Sequence, residues 1–390
     1  MPLEKNTVKN HHAGVDNLPF SGYAYQPTPI SILSLFIMAI RYLILALTHR
    51  CNLRCAYCYN GDGNSETDMP EAVMRQAIGQ ASSQKPFHLQ LTGGEPTLVP
   101  LSIEKAAILA RKTGRCRSLG IQTNATCLTP DLLTLFKTYN FQIGVSLDGP
   151  PAIHQQQRGM AAETLRGLQQ LEGAGIPFRV TTVVTQASAA TLDRLVLTLA
   201  GFGCVRGVGL DLLVGKGRAG QGGVAMPADP QVLETGIHSM LAALTAVNQR
   251  RRIPIRLREQ ELLRARRKRP VFCHACVGES MAVDPGGDVY PCGQTMGDAR
   301  FAAGTVWQPQ YPRLAALHET KPRQTACAGC ALEAICPGDC PSRIHYNRQN
   351  ERMLVCRLYR TIWRWNCDNA AQKQYPEGDS ETHSILSMSP

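Results

Sequence analysis

The chain has 390 residues, 44% of them hydrophobic and 18% charged, with a formal net charge of +11 and 15 cysteines. That length supports one large core plus a smaller unit, and the balance of apolar to charged residues belongs to a globular protein rather than a disordered or fibrous one. A secreted disulfide scaffold would be short and led by a signal peptide, so cysteines concentrated within Cys51–Cys58 and Cys273–Cys356 read better as metal ligands.

Residues 1–41 are read as an N-terminal extension. The apolar stretch Pro29–Ile40 is too short to span a bilayer, and Arg41 interrupts its continuation. No basic leader precedes it, so neither a membrane segment nor a secretory signal is expected, and a cytoplasmic location follows. Met38 is an alternative start that would make residues 1–37 an upstream extension. From Tyr42 to Val214, short apolar runs alternate with amphipathic segments. Strands are predicted at Tyr42–Leu47, Leu89–Thr92, Leu119–Thr123, Gln142–Leu147, Arg179–Val184 and Val205–Leu212. Pro70 opens a helix with Val73, Met74, Ala77, Ile78 and Ala81 on one face, and Thr129-Pro130 opens another through Phe136. Six strands alternating with helices predict a parallel α/β sheet, either open and doubly wound or closed into a full or partial barrel. In each case ligands gather at the C-terminal ends of the strands.

Residues 215–270 are expected to hold a Gly- and Pro-rich linker, a helix ending near Asn248 and a basic stretch. Arg250–Arg269 carries ten basic residues against Glu259 and Glu261, eight of the net +11. Such a stretch is either a solvated face or a dock for an acidic partner such as a peptide; without interleaved aromatics it does not read as a nucleic-acid site. A cysteine-rich domain is expected over 271–367, followed by a polar tail over 368–390 that is expected to be disordered.

Cys51, Cys55 and Cys58 follow directly on the first strand. Three thiolates on one short loop can hold three irons of a four-iron cluster and leave the fourth open, whereas zinc sites usually close at four ligands. This three-cysteine loop, Cys51-Asn52-Leu53-Arg54-Cys55-Ala56-Tyr57-Cys58, resembles the signature of the radical S-adenosylmethionine superfamily. Leu91-Thr92-Gly93-Gly94-Glu95-Pro96, after the second strand, and Val145-Ser146-Leu147-Asp148-Gly149-Pro150 with Arg158, after the fourth, extend the likeness. The resemblance implies that Gly93, Gly94 and Glu95 meet the cofactor's ammonium group and that Ser146 meets its ribose. It also implies that Arg158 pairs its carboxylate, where a guanidinium fork suits both oxygens, and that Tyr57 packs on the adenine. Asn124, ending the third strand, is a further candidate for lining the site.

Farther on come Cys273, Cys276, Cys292, Cys327, Cys330, Cys336, Cys340 and Cys356. By spacing alone Cys327, Cys330, Cys336 and Cys340 also fit a zinc knuckle. The whole pattern resembles the SPASM extension, which implies two auxiliary four-iron clusters and eight ligands. It further implies an interleaved assignment: Cys273, Cys276, Cys292 and Cys340 on the near cluster, Cys327, Cys330, Cys336 and Cys356 on the distal one. Cys116, Cys127, Cys204 and Cys367 are left as plain thiols.

Taken over Tyr42–Cys356, the resemblance implies a partial (β/α)6 TIM-type barrel with a small cysteine-rich C-terminal domain. It implies an enzyme with three [4Fe-4S] clusters and S-adenosylmethionine as cofactors, in which reductive cleavage yields a 5′-deoxyadenosyl radical that abstracts hydrogen from the substrate. Expected partners are a peptide or protein substrate and an electron donor such as flavodoxin or ferredoxin. Residues 1–41 are too short for a leader-binding module, so any leader is expected to dock elsewhere on the chain or on a separate leader-binding protein. Peptide maturation by thioether or carbon–carbon crosslinking, or by side-chain oxidation, comes first. Modification of a small molecule or tetrapyrrole is the alternative, and a non-catalytic electron carrier is the reading from outside enzymology. Sulfatase-type maturation is disfavoured by Gly293, where that relative carries an aspartate beside the cysteine matching Cys292.

Overall fold

The computed structural model describes residues 39–374 except 62–65, 84, 221–224, 266–270, 319–326 and 348–352, with side chains as far as 369. Most of the N-terminal extension, Arg266–Arg269 of the basic stretch and the tail beyond 374 therefore lie outside the described residues.

Strands β1 (Tyr42–Ala46), β2 (Phe87–Thr92), β3 (Cys116–Thr123), β4 (Phe141–Ser146), β5 (Phe178–Val184) and β6 (Val205–Leu212) lie side by side in sequence order, all parallel. Helices cross between them: α1 (Glu71–Ser82), α2 (Pro100–Lys112), α3 (Pro130–Thr138), α4 (Pro151–Gln157), α5 (Ala161–Gly173), α6 (Gln186–Ala189) and α7 (Leu192–Ala200). Strand alternation explains the layering. Leu43, Leu45, Leu89, Leu91, Leu119, Ile121, Ile143, Val145 and Val180 are sealed in one core with the apolar stripes of the helices. The intervening Tyr42, Gln90, Gln122, Ser146 and Thr181 are half-buried on the other face. Predicted and observed strands overlap at all six positions, and α1 buries the five residues read from its periodicity.

The segments after β6 are not set apart from this sheet. Helix α8 (Pro230–Asn248) is followed by β7 (Arg256–Leu257), which pairs parallel with β6, and by α9 (Arg258–Arg264). Strand β8 (Ser280–Val283), from the cysteine-rich region, pairs parallel with β1, and β9 (Val289–Tyr290) returns antiparallel to it. The result is an open nine-stranded sheet ordered β7-β6-β5-β4-β3-β2-β1-β8-β9. A hairpin of β10 (Gly304–Thr305) and β11 (Gln308–Pro309) follows, then α10 (Pro341–Tyr346) and α11 (Leu354–Gln374).

Two expectations need correction here. The basic stretch is not merely a solvated face: Arg251 donates to the carbonyls of Ala200 and Phe202 at 3.1 and 2.8 Å, and Arg258 bridges Asp211 at 2.8 Å and the buried Glu259 at 2.6 Å. Nor does disorder begin at 368, because α11 runs to Gln374 across that boundary. Leu358 and Ile362 are buried, Trp365 meets His238 of α8 edge to face, and Arg357 and Arg364 both reach Glu234 of α8. Among the described residues, no helix is long and apolar enough to cross a membrane.

Candidate active site

A cavity of about 590 Å³ opens at the C-terminal ends of the parallel strands, lined by the loops that leave β1 to β6. Cys51, Cys55, Cys58, Tyr57, Gly93, Gly94, Glu95, Asn124, Ser146 and Arg158, which the sequence singled out, all face it. The cysteine loop is held from several sides. Thr48 and Arg50, leading into it, both bond Asp68, Thr48 at 2.6 Å and Arg50 through Nε and Nη2 at 3.0 and 2.6 Å. Asn124 donates to the Asn52 side chain at 2.9 Å, tying the end of β3 to the loop.

Gly93 and Gly94 do something the sequence did not disclose. Gly94 donates its N–H to the Thr48 carbonyl and Glu95 donates to that of Arg50, each at 2.8 Å. A Cβ on Gly94 would stand 2.1 Å from the Arg50 carbonyl oxygen, and one on Gly93, whose φ is +138°, 2.4 Å from that of Thr48. The glycines therefore permit close approach to the backbone that carries the cysteines. Glu95 is 1% exposed. Its Oε1 accepts from the Thr97 N–H and from the hydroxyls of Thr97 and Thr123, while Oε2 accepts only from the Asn124 N–H at 2.7 Å. It knots the ends of β2 and β3 together, with acceptor capacity left on Oε2.

Ser146 accepts from Gln122 Nε2 at 2.9 Å. Arg158 packs over the Tyr57 ring, 5.2 Å from its centroid, and both residues bond Asp148. Asp148 is fully buried, takes Arg158 Nε at 2.9 Å and accepts the Val183 N–H at 2.9 Å. It fixes two expected cofactor contacts at once, a role the sequence reading had not assigned. Its neighbour on the motif's helix, His154, has burial first and Arg158 second holding its pKa down to about 4.

Also missed was the segment after β6, read only as a glycine-rich linker. Arg218 donates its N–H to the Cys58 carbonyl at 3.0 Å, Nε to that of Cys55 at 2.7 Å and Nη1 to that of Gly61 at 2.7 Å. Gly217 (φ +59°) passes so near that a Cβ would lie 2.3 Å from the Cys58 oxygen. The run Gly215-Lys216-Gly217-Arg218 carried the signal, in small residues alternating with cations.

Eight of the other thiols fall into two sets of neighbours that ignore chain order. Cys273, Cys276, Cys292 and Cys340 are electrostatic neighbours, with the Cys273 and Cys276 sulfurs 3.8 Å apart. Cys336 and Cys356 form the other set with Cys327 and Cys330. Burial pushes the Cys340 thiol up to about 12 and raises those of Cys55, Cys292, Cys336 and Cys356. Burial disfavours the thiolate form at each of these five sites, whereas the sulfur contact with Cys273 lowers the Cys276 thiol to about 7.

Residues 45–193 match the family model described as the radical SAM superfamily. The chain is 25% identical over 344 residues to the serine-type anaerobic sulfatase-maturating enzyme of Klebsiella aerogenes, spanning 80% of this chain and 81% of that one. Its fold is similar to that of native anSMEcpe with bound AdoMet and Kp18Cys peptide, with a TM-score of 0.69, 19% identity and 86% and 99% of the two chains covered. It is also similar to Streptococcus suis SuiB bound to precursor peptide SuiA, with a TM-score of 0.62, 16% identity and coverage of 82% and 76%. The cavity at the strand ends, the cysteine loop that lines it and the matched segment agree: this protein is an enzyme that carries a radical S-adenosylmethionine superfamily domain over residues 45–193.

Proposed function

We propose that this enzyme cleaves S-adenosylmethionine reductively and abstracts a hydrogen atom from a peptide, as a SPASM-type maturase. The observation that carries this reading is convergence: the cysteine loop, the Gly93–Glu95 turn, Ser146 and Arg158 meet at one cavity whose 590 Å³ lies in the ordinary range for a cofactor-sized ligand. The nine-stranded sheet is read as a partial (β/α)6 barrel with added edge strands.

Cys51, Cys55 and Cys58 would hold the catalytic cluster. Tyr57 would lie on the adenine and Ser146 beside the ribose, Arg158 would take the carboxylate, and Gly93, Gly94 and Glu95 would meet the amine. When bound, the cluster and S-adenosylmethionine supply the electron and the radical. The chain supplies position. Asp148 keeps the Arg158 fork and the Tyr57 ring in register, the Glu95 knot holds two strand ends, and Arg218 pins the loop carbonyls. The two sets of four thiols would hold auxiliary clusters in the interleaved arrangement, giving a product electron a way out.

A peptide is favoured as substrate because two structures of similar fold hold peptides. Formylglycine formation is less favoured, since Gly293 puts no carboxylate beside Cys292. An electron donor of the flavodoxin or ferredoxin kind and a separate leader-binding protein complete the scheme. The test is anaerobic reconstitution followed by iron analysis and product assay. About twelve irons per chain and 5′-deoxyadenosine formation under strong reductant are expected, with loss of a few hydrogens from a peptide encoded beside the gene. Reconstituted protein that forms no 5′-deoxyadenosine would refute the catalytic reading.

A further inference from the structure

The segment from Leu213 to Arg218 touches both cysteine regions at once. On one side Arg218 and Gly217 lie on the carbonyls of Cys55 and Cys58. On the other, Lys216 Nζ donates to the carbonyls of Gln294 and Met296 at 2.8 and 2.6 Å, in the turn that follows Cys292. The same ammonium sits 5.7 Å from the centroid of Tyr346. Gly215 donates to Asn347 Oδ1 at 3.1 Å and Asn347 Nδ2 donates to the Leu213 carbonyl at 3.0 Å, which ties in the end of α10, the helix that begins after Cys340. Lys216 is thus fixed between the catalytic loop and both limbs of the Cys273/Cys276/Cys292/Cys340 set.

Two carbonyls and a ring face are surroundings that suit an ammonium. The Lys216 ammonium itself bonds the turn after Cys292, whereas the carbonyls of Cys55 and Cys58 are met by its neighbours Gly217 and Arg218; burial lowers its pKa, with Asp298 first acting against that. Nothing in cofactor binding or hydrogen abstraction uses this cation. Its surroundings nonetheless hold it where two groups of metal-ligating thiols come together.

We propose that Lys216 is a positioning residue that sets reduction potentials: its fixed positive charge favours the reduced state of the clusters on either side, and of the Cys292 cluster more than the Cys51/Cys55/Cys58 cluster. The inference rests on the cluster reading given above. A cluster becomes more negative when it takes an electron, so a nearby cation stabilises the reduced form and raises the potential. A larger increase on the Cys292 side adds to the driving force for electrons to pass from the catalytic region outward to that cluster. Arg218 holds the loop while Lys216 grades the potentials.

The test is an anaerobic redox titration, followed by electron paramagnetic resonance, of the reconstituted full-length protein and three variants, with iron counted in each. Lys216→Met, which keeps the length and removes the charge, should lower the potential of one auxiliary cluster. A tenfold drop in its reduced-to-oxidised ratio at fixed poise, about 59 mV for one electron, is expected, with a smaller drop at the catalytic cluster. Lys216→Arg should restore the wild-type values. Asp298→Asn removes the opposing negative charge and should move the same potential upward. A packing role alone would not produce shifts of opposite sign that follow charge. If Lys216→Met loses its clusters, the Arg and Asn variants still carry the test. Full iron content with potentials unmoved by any variant, or Lys216→Arg behaving like Lys216→Met, would overturn the inference alone. Wild-type protein that holds no iron would overturn the cluster reading and this inference with it.

Discussion

The Cys51–Cys58 loop and the cysteine-rich region from 271 to 347 present thiols in opposite ways. The first is laid onto a finished scaffold: strand ends, a buried glutamate and Arg218 hold its backbone, and the large core beneath is continuous. The second has strands of two to four residues, short 3-10 turns and a six-residue helix; among its described residues Met281, Val283, Val289, Ala303, Val306, Leu314 and Leu332 join the large core, and Ala275, Ala282, Tyr290, Phe301 and Leu317 form a small one of their own. Its additional support comes from side-chain pairs such as the buried Arg343–Asp339 contact at 3.0 Å and Tyr346 donating to Asp298 at 2.7 Å. One region presents its ligands on packing that stands without metal. The other borrows its packing from the edge of the same sheet through short elements, and ligation would add to its order by closing long loops of chain.

The largest expected effect tests independence. Replacing Cys51, Cys55 and Cys58 together with Ala should abolish 5′-deoxyadenosine formation while about eight irons remain and the helical circular dichroism is kept. Loss of all iron would mean that the two regions assemble as one. Next comes chelation of the reconstituted protein. Amide exchange across 273–346 should accelerate by on the order of a hundredfold or more while β1 to β6 keep their protection; equal loss in both regions would end the contrast.

Within the cysteine-rich region, Cys356→Ala should damage the cluster of Cys327, Cys330 and Cys336, and Cys340→Ala the one containing Cys292. Each variant should retain about eight irons, with distinguishable spectra. On the scaffold side, Glu95→Ala strands the donors of Thr97, Thr123 and Asn124. It should cost about 3 kcal/mol in denaturant titration and weaken S-adenosylmethionine binding without removing the auxiliary iron; unchanged stability would dissolve the knot. A comparable effect, confined to acid, is with pH. His154 is buried with its pKa lowered from 6.5 to about 4, so the unfolded chain binds the proton first and stability falls as pH drops through that window. The loss should approach about 3 kcal/mol below pH 4. His154→Gln should flatten that slope, and an unchanged slope would assign acid sensitivity elsewhere.

What the sequence made legible follows the same division. Period-two alternation and Pro-marked helix starts located the six strands and two of the helices, because each of these elements has its own buried face. The cysteine and glycine motifs located one wall of the cavity. The opposite wall was not legible: Arg218 acts through contacts with residues more than 150 positions away, and a glycine-rich run gives no sign of what it will approach. Glu95 and Arg158 were found, but the knot and the Asp148 clamp that hold them arise from burial, which no local pattern announces. Strand β8 escaped for a related reason: a serine and three apolar residues among turns have no period to read until β1 is there to pair with them.

That pairing bears on how the chain is made. Among the described strands β1 leaves the ribosome first, and the neighbour that covers its other edge, Ser280–Val283, is synthesised more than two hundred residues later. Until then the nascent chain displays an open strand edge beside three free thiols, a surface that invites both mispairing and oxidation. Translation of the last third of the chain therefore completes the sheet as well as the cysteine sets. A truncated product would expose an adhesive edge, and a cell making this protein has reason to destroy such fragments quickly.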